Sequence, residues 1–234
     1  MLRKKNVFNP TINILIRTSN RPVFFSKCIQ SIKIQTYGKI RYLISVDNKA
    51  DEKYVRPEKY YLMKKLPREK KWSIFDGIKV GHAPYNLYLN ELMSQVSEGW
   101  IMYLDDDDML ADPDSISQIA KHIRSEDDLI LWRVGFPKGA VVPNHQNFGQ
   151  VPKCFNISTI GFLFHSKYIP VAKWDEYGCS DYRVVARLYK VIPHKIWINK
   201  VFTKLQREDN WGGRGDQRDR EEEPSVHNPL ECRA

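Results

Sequence analysis

The chain has 234 residues, 42% of them hydrophobic, with 10 Phe, 12 Tyr and 6 Trp, enough for a packed core and unlike a disordered chain. No apolar run approaches the ~20 residues of a membrane helix, and INILI after the basic MLRKKNVFNP is too short for a secretory leader, so the expectation is a soluble, cytoplasmic protein. The net charge of +9 is uneven: residues 207–234 hold five Arg against eight Asp or Glu, a net of −3, which leaves +12 on residues 1–206 and suits either an anionic partner or plain solubility.

TINILIR (11–17) is short, apolar and Ile-rich, as a buried strand is. TSNRP breaks it, with Asn20 placed to cap a helix and Pro22 in the first turn. VFFSKCIQSIKIQT (23–36) puts Phe24, Cys28, Ile32 and Ile34 on one helical face, and Gly38 ends it. KIRYLISVD (39–47) is a second strand, closing on Asp47 and Asn48. Strand, helix and strand joined by short loops make a crossover unit with two parallel strands. Ligands of such sheets bind beyond the carboxyl ends of the strands, where Thr18–Arg21 and Asp47–Asn48 lie.

Residues 51–72 are basic surface with a short strand around Tyr60–Leu62. In GHAPYNLYLNELMSQVSEG (81–99), Leu89, Leu92, Met93 and Val96 recur at helical spacing, and Gly99 stops the helix. WIMYL (100–104) is a strand that delivers Asp105, Asp106, Asp107 and Asp108 at its carboxyl end. ADPDSISQIAKHIRSEDD is a helix, DLILWRV (128–134) a strand, and residues 135–154 a long loop or two weak strands. ISTIGFLFH (157–165) reads as a strand, SDYRVVARLYKVI (180–192) as a helix and HKIWINKVFTKLQ (194–206) as a late strand. The chain thus divides into a domain at 1–206 and a charged, Gly-containing tail at 207–234, which is either disordered or, with Trp211 among its glycines, ordered over a ligand. Cys28, Cys154, Cys179 and Cys232 show no CxxC spacing, which fits reduced thiols better than a zinc site.

The aspartate run carries the chemistry. Adjacent carboxylates repel and are costly to bury, so DDDD is either a solvated turn or a site for a cation. In an extended segment Asp105 and Asp107 would face one side together, offering hard oxygens suited to Mg²⁺ or Mn²⁺.

IRTSNRP, SIKIQTYG, LISVDN, APYN and EGWIMYLDDDDML, in this order, resemble a GT-A fold glycosyltransferase, nearest to family 2, over about residues 11–189. The resemblance implies an α/β, Rossmann-like, mixed and mostly parallel sheet flanked by helices. It also implies a nucleotide-sugar donor held by Arg17, Thr18, Ser19, Asn20 and Arg21, with Asp47 and Asn48 opposite. Ser19 stands where the family often has an aromatic residue, and Asn48 where it often has a second acid. By the same resemblance Asp105 or Asp106 bonds the ribose, Asp107 ligates Mn²⁺ or Mg²⁺, Asp108 is structural, and His227 is a third metal ligand against the alternative of a solvated tail histidine. Asp181 is implied as the base of an inverting transfer, with a helix cap as its alternative, and Ser180 available to cap instead. Asn86 starts the helix before the acidic strand, His82 or Lys79 takes the phosphate-facing role, and Trp174 packs on sugar or in the core.

Three functions compete. One is transfer to a saccharide acceptor of a polysaccharide or glycoconjugate. Another is the same transfer to a nucleic acid carrying a hydroxylated base, motivated by Lys64, Lys65, Arg68, Lys70 and Lys71 beside Tyr60, Tyr61 and Trp72, a cluster that also suits a merely solvated face. The third is a non-catalytic nucleotide-sugar-binding module.

Overall fold

Alternation along the first strand, β1 (Ile12–Thr18), sets both faces of the molecule. Ile12, Ile14 and Ile16 enter one core cluster, while Leu15 enters the other. Arg17 therefore shares the Leu15 face and Thr18 the Ile16 face. The computed structural model describes residues 9–56 and 58–206.

β1 leads to α1 (Pro22–Lys33), β2 (Ile40–Val46), a one-turn α2 (Glu52–Val55) and β3 (Tyr60–Leu62). A hairpin of β4 (Trp72–Phe75) and β5 (Ile78–Gly81) precedes α3 (Tyr88–Ser94) and β6 (Trp100–Tyr103). Then come β7 (Asp108–Leu110), α4 (Ser115–Ala120), β8 (Asp128–Gly135), β9 (Val141–Val142), β10 (Phe162–His165), α5 (Ser180–Val191) and β11 (His194–Leu205). The main sheet has the order β3-β2-β1-β6-β10-β8-β11-β7, with β9 on β8, and the hairpin forms a second sheet. β3, β2, β1 and β6 are mutually parallel, as are β8 and β11, whereas β10 and β7 run against their neighbours. The longest ladders are parallel, β1 on β2 and β8 on β11. This is the mixed, mostly parallel α/β sheet that the sequence implies.

Helices cover both faces. Phe25, Cys28, Ile29 and Ile32 of α1 and Ile116 and Ile119 of α4 fill one core. Leu89, Leu92 and Met93 of α3 and Val184, Val185 and Leu188 of α5 fill the other. Among the described residues no helix is long and apolar enough to cross a membrane.

Several local expectations are corrected. Asn20 does not cap α1: it adopts φ 52°, the cap position is Arg21, and Pro22 alone starts the helix. The buried face of α1 uses Phe25 rather than Phe24, and Ile34 is exposed. The helix over 111–128 shrinks to Ser115–Ala120, because Asp114 precedes it and a turn bonded from Ile123 N to Ala120 O follows. The strand over 157–165 keeps only Phe162–His165. The hairpin β4–β5 and the short β7 escape the sequence pattern, having too few residues to show a period. The tail from 207 onward, with Trp211, lies outside the described residues.

Gly99 does more than stop a helix, since α3 already ends at Ser94. It sits at φ +84°, and a Cβ there would lie 2.5 Å from Thr11 O, the acceptor of the Trp100 N–H that starts β6 on β1. Left-handed backbone and steric overlap add. Gly99→Ala is expected to cost about 2 kcal/mol or more, read as a lower urea midpoint at unchanged m-value.

Candidate active site

In an open α/β sheet the binding crevice lies where neighbouring strands send their connections to opposite sides. Here that point is between β1 and β6, since β1 leads to β2 on one side while β6 lies on the other. Both carboxyl ends open onto the same rim, Thr18 from β1 and Leu104–Asp108 from β6.

Asp105–Asp108 are not extended. Asp108 N–H bonds Asp105 O at 2.9 Å, closing a turn. The alternation expected for Asp105 and Asp107 therefore fails, and the four carboxylates are sorted by partner instead. Arg17, on the α3 face, donates Nε to Asp105 Oδ1 at 2.8 Å and Nη2 to Oδ2 at 2.6 Å. Thr18, on the opposite face, donates its hydroxyl to Asp106 Oδ2 at 2.8 Å. Arg21 places Nη1 2.8 Å from Asp106 Oδ1 and 2.8 Å from Asp107 Oδ2. The pair that shares one cation is thus Asp106 with Asp107. Asp108 is buried and opens β7. Gln206 Nε2 holds the turn from behind, donating to Asp106 O, Asp108 O and Phe24 O.

Burial and mutual repulsion set the protonation of this group. Burial pushes Asp106 up to about 7 against the pull of Arg21. Burial and the charges of Asp107, Asp105 and Asp106 hold Asp108 well above the usual carboxylate range. Burial would lower the Arg17 pKa, but the charge and hydrogen bonds of Asp105 keep it raised. An acidic turn braced by two fixed guanidinium groups can therefore stand largely buried.

At the end of β2, Asp47 Oδ2 accepts from the Tyr88 hydroxyl at 3.3 Å, while its Oδ1 is buried without a partner. Such an orphaned acceptor suits a ligand N–H. Asn48 is turned to its own backbone, accepting from Ala50 N–H at 3.0 Å. Asn20 donates its backbone N–H to Asp51 Oδ2 at 3.2 Å. Ser19 lies in the same loop.

On the other wall, Asn86 Oδ1 accepts from Arg17 Nη1 at 2.9 Å, and its Nδ2 donates to Tyr177 O at 2.8 Å. Arg17 also lies 5.5 Å from the Tyr85 ring and 6.0 Å from that of Trp174. His82 is buried and accepts from Glu69 N–H at 2.9 Å, fastening the hairpin entry. Trp174 is buried against Tyr103 at 5.1 Å, a core contact.

Asp181 is the second residue of α5, and Tyr182 N–H bonds its Oδ1 at 2.8 Å. Burial raises its pKa, opposed by that N–H and by the charges of Arg183 and Arg17. Ser180 does not cap the helix: its hydroxyl accepts from Asp175 N–H at 3.0 Å, and Cys179 holds the cap position at φ 55°. Sequence pattern misses Arg183, which clamps Asp175 at 2.6 and 2.5 Å and donates to Gly178 O at 2.9 Å, shaping the loop that presents Asp181. His227 lies outside the described residues. Among the described residues no group of three or more His, Cys, Asp or Glu side chains forms a metal cage.

The architecture is that of GT-A fold glycosyltransferases. S. aureus TarS 1–349 in complex with UDP-GlcNAc is similar with a TM-score of 0.64 and 12% identity, covering 86% of this chain and 60% of that one. The mannosyltransferase PcManGT from Pyrobaculum calidifontis, in complex with GDP-Man and Mn²⁺, is similar with a TM-score of 0.58 and 13% identity, covering 84% and 57%. The chain thus spans about 60% of the length of these structures. No family model and no curated protein matches the sequence.

The Arg17–Asp105 fork makes a graded test. Arg17→Ala strips both oxygens of a partly buried carboxylate and is expected to cost about 2–3 kcal/mol. Arg17→Lys keeps the charge but loses the fork, so its urea midpoint should fall between those of Arg17→Ala and wild type.

Proposed function

We propose that the chain is a metal-dependent glycosyltransferase that moves a sugar from a nucleotide-sugar donor to an acceptor hydroxyl with inversion. The observation that carries this reading is Arg17 gripping Asp105 and Asn86 on the carboxyl-end rim of a GT-A sheet, with its charge also acting on the buried Asp181. The similar structures bind UDP-GlcNAc, or GDP-Man with Mn²⁺, which supports a donor of that class.

Mn²⁺ or Mg²⁺ fits the donor set. Asp107 and its neighbours supply hard oxygens, and Asp107 keeps 15% of its side chain exposed. One or two carboxylates plus substrate phosphates is a common way to hold Mg²⁺, so the lack of a three-ligand cage is no obstacle. Asp107 would hold the cation, with His227 as a candidate further ligand. When bound, the metal supplies Lewis-acid stabilisation of the departing diphosphate.

The other roles fall to side chains. Asp47 Oδ1 accepts a base N–H, and Thr18 to Arg21 line that pocket. Asp105 is engaged by Arg17 and Asp106 by Thr18 and Arg21; one of these two carboxylates receives the ribose, and Asp105 keeps the more exposed side chain, 22% against 4%. Arg17 sets the spacing between donor and acceptor walls through Asn86. Asp181 takes the proton as the acceptor oxygen bonds the anomeric carbon and the carbon–oxygen bond to phosphate breaks. Burial suits it for that task, since a base pKa nearer neutrality transfers protons more effectively.

Three outcomes are expected. A nucleotide sugar raises the melting temperature in the presence of Mn²⁺, and Asp107→Ala removes that shift. Asp181→Asn keeps the shift but lowers turnover by roughly 10²–10⁴-fold. The rate rises with pH as Asp181 deprotonates, with its midpoint above the ordinary carboxylate range because the folded pKa is raised. Turnover that survives both Asp107→Ala and removal of divalent ions defeats the metal role.

A further inference from the structure

Residues 64–79 form a cationic and aromatic face that the donor site does not use. Lys64 and Lys65 follow β3, at a point where Met63 N–H bonds Val46 O at 2.7 Å beside Asp47. The chain then crosses α3 and the loop before it: Leu66 N–H bonds the Tyr88 hydroxyl at 3.0 Å, and Arg68 Nε donates to His82 O at 3.2 Å. Lys64, Lys65, Lys70 and Lys79 are exposed. Among the described residues no carboxylate pairs with Lys64, Lys65 or Lys70, whereas Lys71 is engaged by Glu69 and Glu176. Trp72 is 59% exposed and Ile74 65%. Lys79 Nζ lies 3.8 Å from the Trp72 ring centre and steadies the indole.

This face is bolted to the element that carries Asp181. Arg183 sits 3.9 Å over the Phe75 ring, and Phe75 packs 5.8 Å from Tyr177. The Tyr182 hydroxyl bonds Asp76 Oδ2 at 3.0 Å. Tyr182 and Arg183 directly follow Asp181 on α5. Trp72 and Ile74 lie on the hairpin face opposite Phe75, so a chain seated on Trp72 would reach the proposed base around the hairpin rather than across it.

The geometry points to this face as the seat of the acceptor, and to a nucleic-acid strand as that acceptor. Unpaired lysines along a path flanked by an exposed indole match a phosphodiester backbone with bases that stack. A neutral glycan would use Trp72 and leave the lysines idle. The proposal rests on the transferase reading. A hydroxyl on the strand would bond the anomeric carbon, its proton would pass to Asp181, and the nucleoside diphosphate would leave.

The test uses the full chain and a short fluorescein-labelled DNA duplex and its single strand, followed by anisotropy against salt. Binding should weaken steeply with salt. Reversing Lys64, Lys65 and Lys70 to Glu should weaken it at least about tenfold and flatten the salt slope by roughly one unit per lysine. A control that reverses the exposed Lys39, Lys121 and Lys190 should bind almost as wild type. Lys64→Gln, Lys65→Gln and Lys70→Gln together should give the same loss in milder form, which guards against misfolding of the Glu variant. The thermal shift by nucleotide sugar with Mn²⁺ should persist in all of them; its loss in the site variants alone would place these lysines in the donor site and overturn the proposal, whereas its absence in the wild type would indict the transferase reading. No binding at low salt, equal loss in site and control variants, or equal competition by a carboxylated polysaccharide would overturn the proposal.

Discussion

The structure depends on placing four consecutive carboxylates at the end of a buried strand. Left alone, that turn would be driven into solvent by repulsion and desolvation. Two guanidinium groups from the first strand and its loop prevent this. Arg17 engages both oxygens of Asp105, and Arg21 bridges Asp106 and Asp107. Both arginines come from the segment that ends β1, the neighbour of β6, so charge compensation and sheet pairing require each other. The parity of β1 completes the arrangement. Arg17 and Thr18 leave on opposite faces, and each meets a different aspartate.

The same turn is tied to the far end of the chain. Gln206 donates from its side chain to three carbonyls and from its backbone to Asp107 O. β11 thereby fixes the turn that β6 creates, although the two strands are separated by β10 and β8 in the sheet. A carboxylate group held from both sides is pre-organised, and ligand recruitment then requires little reordering. Asp47 Oδ1, a buried acceptor left without a donor, lies on the same rim.

The parts legible in the sequence are those with a period or a terminal position. Ile12–Thr18, Ile40–Val46 and Trp100–Tyr103 are apolar runs bounded by turn residues, and they became β1, β2 and β6. The end of each run marks the rim, so Thr18, Asp47 and Asp105 could be placed there before any fold was known. Pairings were not legible. Nothing local in Arg17 says that it reaches Asp105 and Asn86, 88 and 69 residues away. The pleat argument for Asp105 and Asp107 assumed extended backbone, and one hydrogen bond from Asp108 N to Asp105 O removed the premise. His82 looked like a phosphate ligand because it is basic and stands before α3. Its Nδ1 accepts from Glu69 N–H, a contact made by a segment with no sequence signature, and its Nε2 lies 3.6 Å from Glu176 Oε2.

The second half of the site is built by a different logic. No strand of the main sheet delivers Asp181; a loop folded around Arg183 does. That guanidinium holds Asp175, accepts the face of Phe75 and bonds the Gly178 carbonyl. One side chain thereby joins the hairpin, the loop and α5. The aspartate turn and the loop that presents Asp181 are far apart in the chain and are joined through Arg17, Asn86 and the Tyr177 carbonyl. β4–β5 and the lysine-bearing segment before it lie outside the charge balance of Arg17, Arg21 and the aspartates. Loops that diversify on a rigid sheet are the usual means by which one fold serves many substrates. Here the hairpin and the segment before it hold the exposed Trp72 and the exposed Lys64, Lys65, Lys70 and Lys79, so the chemistry proposed for the acceptor lies outside the strands that made the fold readable.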